Sequence, residues 1–243
     1  MDGERSEDMR RGMCSRLTPD QWSAVKACID DVRTYPARAV VSRRGEPLDR
    51  SLLLVEGLVA RHVPGLDRDV REMVALEVAG DFVDLHCLPI GTLDHDVTAM
   101  TGATLAFLPH DRLRRLVAER PDVGMALWAL TVADAAIHRY WAFRVGALRA
   151  TGRVANFLCE MHVRLRRAGL GDAGGFELPL TQADLGEACG LSAVHVNRVV
   201  RELREAGCCA MKDGRVTILD LGLLRGAGRF DPYFLDVGWS DPR

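Results

Sequence analysis

The 243-residue chain has little of what marks a secreted protein, a membrane protein or an enzyme. Its seven cysteines (14, 28, 87, 159, 189, 208 and 209) are odd in number and include no C-x-x-C pair. That argues against a disulfide framework and for reduced thiols in a cytoplasmic protein. No apolar run approaches the roughly 20 residues that span a bilayer, so no membrane partner is expected. The opening MDGERSEDMRR is charged, lacks an apolar segment and does not read as a secretory signal. The histidines (62, 86, 95, 110, 138, 162 and 195) contain no His-x-His pair, which the metal-dependent oxygenases and isomerases of small β-barrels need. A nucleophile elbow and a phosphate loop are missing too. The expectation is a protein that is not an enzyme, with no metal site and no resident cofactor. The net charge of −2 does not advertise a nucleic-acid partner, so any basic face must be local.

What is present is concentrated between Leu180 and Gly207, LTQADLGEACGLSAVHVNRVVRELREAG. Thr181 is a good N-cap, and Leu185 and Ala188 follow on one face. Gly186 leaves room for a second helix to approach, and Gly190 supplies the positive φ that ends the first helix. Ser192 caps the second helix, in which Val196, Val199, Val200 and Leu203 make an apolar stripe. His195, Asn197, Arg198 and Arg201 are left to face outward. Two capped helices around a Gly-containing turn make a helix-turn-helix. Directly after it, CCAMKDGRVTILD alternates around Asp213-Gly214, the dipeptide of a type I′ hairpin, which reads as a wing. From Ala193 to Arg215 five Lys/Arg face three acids, a weak local excess of positive charge.

Upstream, ARAVVS, SLLLVEGLVARHV, REMVALEVA, HDVTAM and ATLAFL are short strands broken by Gly and polar turns, the pattern of a closed or sandwiched all-β unit. LTPDQWSAVKACIDDV reads as one amphipathic helix through Leu17, Trp22, Val25, Cys28, Ile29 and Val32, packed on that unit. HDRLRRLVAERPDV is a short helix stopped at Pro121. A long helix follows, from about Asp122 to Ala150, apolar on more than one face. GRVANFLCEMHVRLRRAGL is another amphipathic helix, GLGDAGG a loop and FELPL a short strand beside the wing. A short helix and a Gly/Pro-broken tail end the chain.

With these segments together, the chain resembles the Crp/Fnr family of bacterial transcription regulators over about residues 35 to 225. The resemblance implies an α+β fold: an N-terminal β-roll of the cyclic-nucleotide-binding-like, jelly-roll type, a long dimerisation helix and a C-terminal winged helix-turn-helix. The corresponding divisions are 1–120, 121–150 and 151–243. It implies a homodimer that binds an inverted repeat in double-stranded DNA, with RNA polymerase as a further partner. The dimer helix is expected to offer Val123, Leu127, Leu130, Ile137 and Trp141 to its mate. Bases would be read by Val194, His195, Asn197 and Arg198. Arg198 can donate two bonds to guanine, and Asn197 can pair with adenine. Val194 stands where the family often has Glu, so the target should depart from the family's best-known half-site. Thr181, Gln182, Ser192, Arg201 and Lys212 suit phosphates, which set register.

At the ligand end the family's cyclic-nucleotide motifs are replaced. Val83-Asp84-Leu85 takes the place of Gly-Glu-Leu, and Asp94-His95-Asp96 the place of Arg-Ser/Thr-Ala. Carboxylates repel a cyclic phosphate, so cyclic AMP is not the expected effector. Cys14 and Cys28 do not reproduce the iron–sulfur cysteine cluster of oxygen-sensing members. Asp84 and His86 stand where a haem-binding member has Cys and His, too thin a match to expect haem. An unidentified small-molecule effector is expected near Asp84, His86, Trp128 and Trp141. The alternatives are a constitutive regulator whose β-roll has lost its ligand, a haem or metal sensor, and a small β-barrel enzyme.

Overall fold

A computed structural model describes residues 9–65 and 71–236. The charged start MDGERSED and the last part of the tail lie outside the described residues. The chain forms two compact units, Met1–Arg71 with Leu76–Ala135, and Glu72–Ala75 with Ala136–Arg243.

In the first unit a 3-10 turn, Gly12–Arg16, precedes helix α1 (Pro19–Lys26), which is begun by a reciprocal capping box. The Thr18 hydroxyl accepts from the Gln21 backbone, and the Gln21 side chain accepts from the Thr18 backbone. The helix is shorter than its apolar stripe predicts. It stops at Ala27, and Asp31–Tyr35 becomes β1, paired antiparallel to Ala103–Pro109 (β7). A sheet edge within reach offers the backbone of Asp31–Tyr35 partners that override local helical periodicity. Leu17, Trp22, Val25 and Cys28 are buried as expected, whereas Val32 is exposed on the strand.

The remaining strands are β2 (Val40–Ser42), β3 (Arg50–Glu56), β4 (Val59–Pro64), β5 (Arg71–Glu77) and β6 (Asp96–Ala99). They form two sheets, ordered β1-β7-β3 and β2-β6-β4-β5. Gly57, between β3 and β4, has φ +90°, and a Cβ there would lie 2.2 Å from the Gly102 carbonyl oxygen. Only glycine lets the chain turn this corner. The pleat divides the β3/β7 layer between two cores. Leu53, Ala106 and Leu108 face a helical side with Trp22, Val25, Leu113, Val123, Leu127 and Leu130. Leu52, Leu54, Leu105 and Phe107 face the roll interior with Val59, Val83 and Val97.

Helix α2 (His110–Glu119) leads into α3 (Pro121–Ala147), which runs from the first unit into the second. The expected dimer stripe needs correction here. Val123, Leu127, Leu130, Ile137 and Trp141 are all buried by the chain's own packing. The large apolar residues that α3 leaves exposed are Met125, Trp128, Val132, Phe143 and Val145.

The second unit adds α4 (Ala150–Arg167), β8 (Gly171–Asp172), β9 (Gly175–Glu177), α5 (Gln182–Cys189) and α6 (Ala193–Glu205). Strands β10 (Cys209–Lys212) and β11 (Arg215–Ile218) follow, then α7 (Leu221–Gly228) and α8 (Tyr233–Asp236). The sheet order is β10-β11-β9-β8. The GLGDAGG stretch, expected as a loop, supplies β8 and a tight turn. The Asp172 carboxylate accepts from the backbone N–H groups of Gly174 and Gly175, at 2.7 and 3.0 Å. That Asx-type bond closes a second hairpin beside the wing. The tail is packed: the Phe234 ring stacks on Tyr140 with centroids 3.8 Å apart.

The centre of this unit is polar. Arg144, wholly buried near the end of α3, bonds to the Glu160 carboxylate on α4 and donates from Nε to Asn156 Oδ1 at 3.0 Å. Arg164 and the Trp141 indole N–H also donate to Glu160, at 2.9 and 3.2 Å. Asn156 Nδ2 in turn donates to the Gly228 carbonyl at the end of α7. Burial alone would raise the Glu160 carboxyl, but Arg144 and Arg164 outweigh it and hold it below the usual range. Gly228 fits because a Cβ there would sit 2.6 Å from the Asn156 backbone nitrogen. Gly228→Ala should therefore force α7 off α4 and lower stability by about 1–3 kcal/mol, as overpacking does. Urea denaturation checks this; an unchanged midpoint would contradict the packing described.

Candidate nucleic-acid interface

Helix α5 starts at Thr181, whose hydroxyl accepts from Asp184 N at 3.1 Å and donates to Asp184 Oδ2 at 2.7 Å. It ends at Gly190, in the left-handed conformation at φ 63°. Arg153 on α4 donates to the carbonyls of Gly190 and Leu148, at 3.2 and 2.9 Å, and so braces the turn. This brace is not legible from sequence, since an Arg on an amphipathic helix reads as solvated. Gly186 makes the close approach expected of it: a Cβ would lie 2.4 Å from the Leu191 carbonyl oxygen, just ahead of α6. Ser192 then caps α6 by accepting from His195 N. Val196, Val199 and Leu203 are buried, while Val200 is half-buried. Asp213 and Gly214 both have positive φ, 50° and 79°, which makes the wing turn type I′ as the dipeptide required.

The proposed reading residues share one face of α6. Val194 is 82% exposed at the first turn, and Asn197, Arg198 and Arg201 are exposed along the same side. His195 is half-buried and acts on its neighbour: its Nε2 accepts from Arg198 Nη2 at 2.7 Å. Glu202 lies 3.6 Å from Arg198 Nε and accepts from the Thr151 hydroxyl at 2.9 Å. Arg198 is thus folded along the helix, between an imidazole and a carboxylate. Among the phosphate candidates, Ser192 and Lys212 are exposed, and Arg201 lies 4.0 Å from Glu205. Thr181 is exposed, but its hydroxyl is committed to the cap. Gln182 is half-buried, and its Oε1 has no hydrogen-bond partner.

The interior of the β-roll carries a second set of polar groups. Arg61 on β4 is buried and meets Glu77 at 3.1 Å and Asp134 of α3 at 2.9 Å. Asp134 is thereby answered, as a carboxylate on that helix must be. Asp84 is fully buried; its Oδ1 accepts from Leu52 N at 2.7 Å and its Oδ2 has no partner. Burial pushes the Asp84 carboxyl up to about 7, and burial with the Arg61 charge pushes His86 down to about 4. The His86 and His95 rings lie 5.5 Å apart. Asp94 bonds the His95 ring at 2.7 Å, and Asp96 accepts from the Arg44 backbone.

Trp128 is 63% exposed on α3, and Trp141 is held between Glu160 and the Phe157 ring. Cys14 and Cys28 are buried in the helical-side core of the first unit. Among the described residues no cluster of three His, Cys, Asp or Glu could hold a metal ion. No helix among them is long and apolar enough to cross a membrane.

Asp84 yields a pH test. Its folded value lies above its unfolded value of about 3.9, so the folded state binds more protons across the interval between them. Its contribution to stability is present below about pH 4 and is lost as pH rises towards 7. Asp84→Asn should therefore gain stability relative to wild type between acid and neutral pH, as read from urea midpoints. A difference that does not vary with pH would mean that Asp84 is ionised throughout.

Known proteins of the same build align with this geometry. A Crp-like helix-turn-helix domain is matched over residues 152–227. The chain is 27% identical to the transcriptional activator protein FnrL of Cereibacter sphaeroides, over 90% of this chain and 88% of that protein. It is 22% identical to the transcriptional activator protein Anr of Pseudomonas aeruginosa, over 84% and 83% of the two chains. The solved structure of FixK2 from Bradyrhizobium japonicum has the same fold, with TM-score 0.73 at 23% identity, over 81% of this chain and 96% of that one. The chain thus carries a Crp-like helix-turn-helix domain and is similar, along most of its length, to bacterial transcriptional activators.

Proposed function

We propose that the chain works as a homodimer that reads an inverted repeat, each copy placing the start of α6 in the major groove. The observation that carries this is the exposed row Val194, Asn197, Arg198 and Arg201 on the second helix of a capped, winged helix-turn-helix. Arg198 reads guanine once it leaves His195 and Glu202, Asn197 reads adenine, and Val194 touches a thymine methyl. His195 contributes mainly by positioning Arg198. Ser192, Arg201 and Lys212 hold phosphates, with Gln182 and the backbone around Thr181 beside them. The protein acts in the cytoplasm and works through RNA polymerase.

Dimerisation is assigned to the outer face of α3. Met125, Trp128, Val132 and Ala135 are exposed there at the alternating three- and four-residue spacing of a helix–helix seam, and beyond the exposed Arg139 the row resumes at Ala142 and Phe143. Such a row is unusual on a monomer's surface. An effector that is not a cyclic nucleotide acts through the same helix, by binding one of two packings more tightly than the other. The carboxylates of Glu77, Asp84 and Asp134 around Arg61 support the exclusion of a cyclic phosphate.

Arg198→Ala should cost about 1–3 kcal/mol of operator binding and relax preference at one base pair. Lys212→Ala should weaken all sequences alike and reduce the salt dependence by about one phosphate contact. Fluorescence anisotropy on operator and scrambled duplexes distinguishes the two; sequence preference that survives Arg198→Ala would remove α6 as the reader. Val132→Glu should place like charges on both copies and shift the chain to monomer in analytical ultracentrifugation, without altering the fold by circular dichroism. A dimer that persists would place the interface elsewhere.

A further inference from the structure

On the second unit, the end of α4, α7 and the tail enclose a cavity of about 350 Å³ lined by Val163, Arg166, Arg167, Arg225, Pro232 and Asp236. That volume is at the lower end of the range for small-molecule sites. Its three guanidinium groups are not equivalent. Arg167 is neutralised within the fold, donating to Asp236 at 2.6 Å and to the Leu235 carbonyl at 3.0 Å. The side chains of Arg166 and Arg225 have neither a hydrogen bond nor an ion pair among the described residues, and Arg225 Nε is shielded from solvent with no acceptor.

The bland account is that basic residues favour helix C-termini, where they complement the exposed carbonyls. It suits Arg166, which is exposed on the last turn of α4. It leaves Arg225 unexplained, because a half-buried guanidinium with a shielded, unpaired N–H is costly without an acceptor. The pocket has the acceptor's shape instead. Two free forks of planar donors match the oxygens of a phosphate, while Val163 and Pro232 offer an apolar wall beside them.

We propose that this cavity is a binding site for a compact phosphate-class anion, held by Arg166 and Arg225. It is separate from the reading surface. Arg153 on α4 contacts the helix-turn-helix turn at Gly190, and Arg166 lies about 20 Å further along the same helix. The anion therefore binds the DNA-reading unit itself, away from the bases and outside the β-roll.

Calorimetric titration of pyrophosphate into the full chain without DNA, at low ionic strength, tests the site. Saturable binding is expected in wild type and in the reading-face variant Arg201→Gln/Lys212→Gln. It should weaken at least about tenfold in Arg166→Gln and in Arg225→Gln, the strength of a lost charge-assisted pair. Arg166→Gln changes an exposed side chain and keeps the test valid if Arg225→Gln folds poorly. No saturable binding to wild type overturns the proposal. So does binding that disappears with the reading-face variant, which would locate the anion on the DNA surface. Binding of an oligoglutamate peptide in place of pyrophosphate would also overturn it, marking an acidic protein partner. None of these outcomes bears on whether α6 reads DNA.

Discussion

A guanidinium removed wholly from water is costly unless a carboxylate answers it, and in the second unit Arg144 meets Glu160 under that constraint. The pair would not hold as an isolated contact, because desolvation of two charges offsets much of their attraction. Here it is surrounded: Arg164 and the Trp141 indole serve the same carboxylate, and Asn156 serves the guanidinium and passes the chain of bonds on to α7. The Arg144 guanidinium also lies over the Trp141 and Phe157 rings, at 4.9 and 5.3 Å from their centroids. Removal of one partner would strand the other, at a cost of about 3–5 kcal/mol. Three helices are therefore held in one arrangement by directional bonds as well as by packing.

That arrangement places the reading surface. Helix α4 carries Glu160 and Asn156 towards the polar centre, and at its other end Thr151 and Arg153 reach α6 and the α5–α6 turn. The end of α3 and the base of the helix-turn-helix are thus both bonded to one helix. A change in the packing of α3 within this unit has a short path to Glu202, and from there to Arg198. The path consists of named bonds, so each step is open to a double-mutant cycle.

The winged helix-turn-helix was legible because its signals are local. Thr181, Gly190, Ser192 and Asp213-Gly214 each state a backbone conformation within a few residues, and each is realised. The strands of the β-roll were legible from alternation for the same reason. What escaped were features set by distant partners. Glu160 and Arg164 look like a solvated i, i+4 pair until Arg144 arrives from another helix. The segment Asp31–Tyr35 continues a helical stripe until β7 offers it an edge. Both faces of α3 are apolar, and periodicity alone does not say which one the chain covers itself; Val123, Leu127, Leu130, Ile137 and Trp141 turned out to be the inner one. Asp172 looked like part of a flexible Gly-rich loop because its turn-closing bond depends on a strand pairing that the sequence does not announce.

All seven cysteines are free and buried, and burial raises every one of their thiols; those of Cys159, Cys189 and Cys209 are pushed up to about 12. The reactive species towards oxidants and alkylating agents is the thiolate, which native packing suppresses. In this protein, then, thiol chemistry is coupled to motion. Modification of a cysteine reports that the layer above it has opened, and cysteines on both units make the native thiols an internal clock for how often each unit breathes.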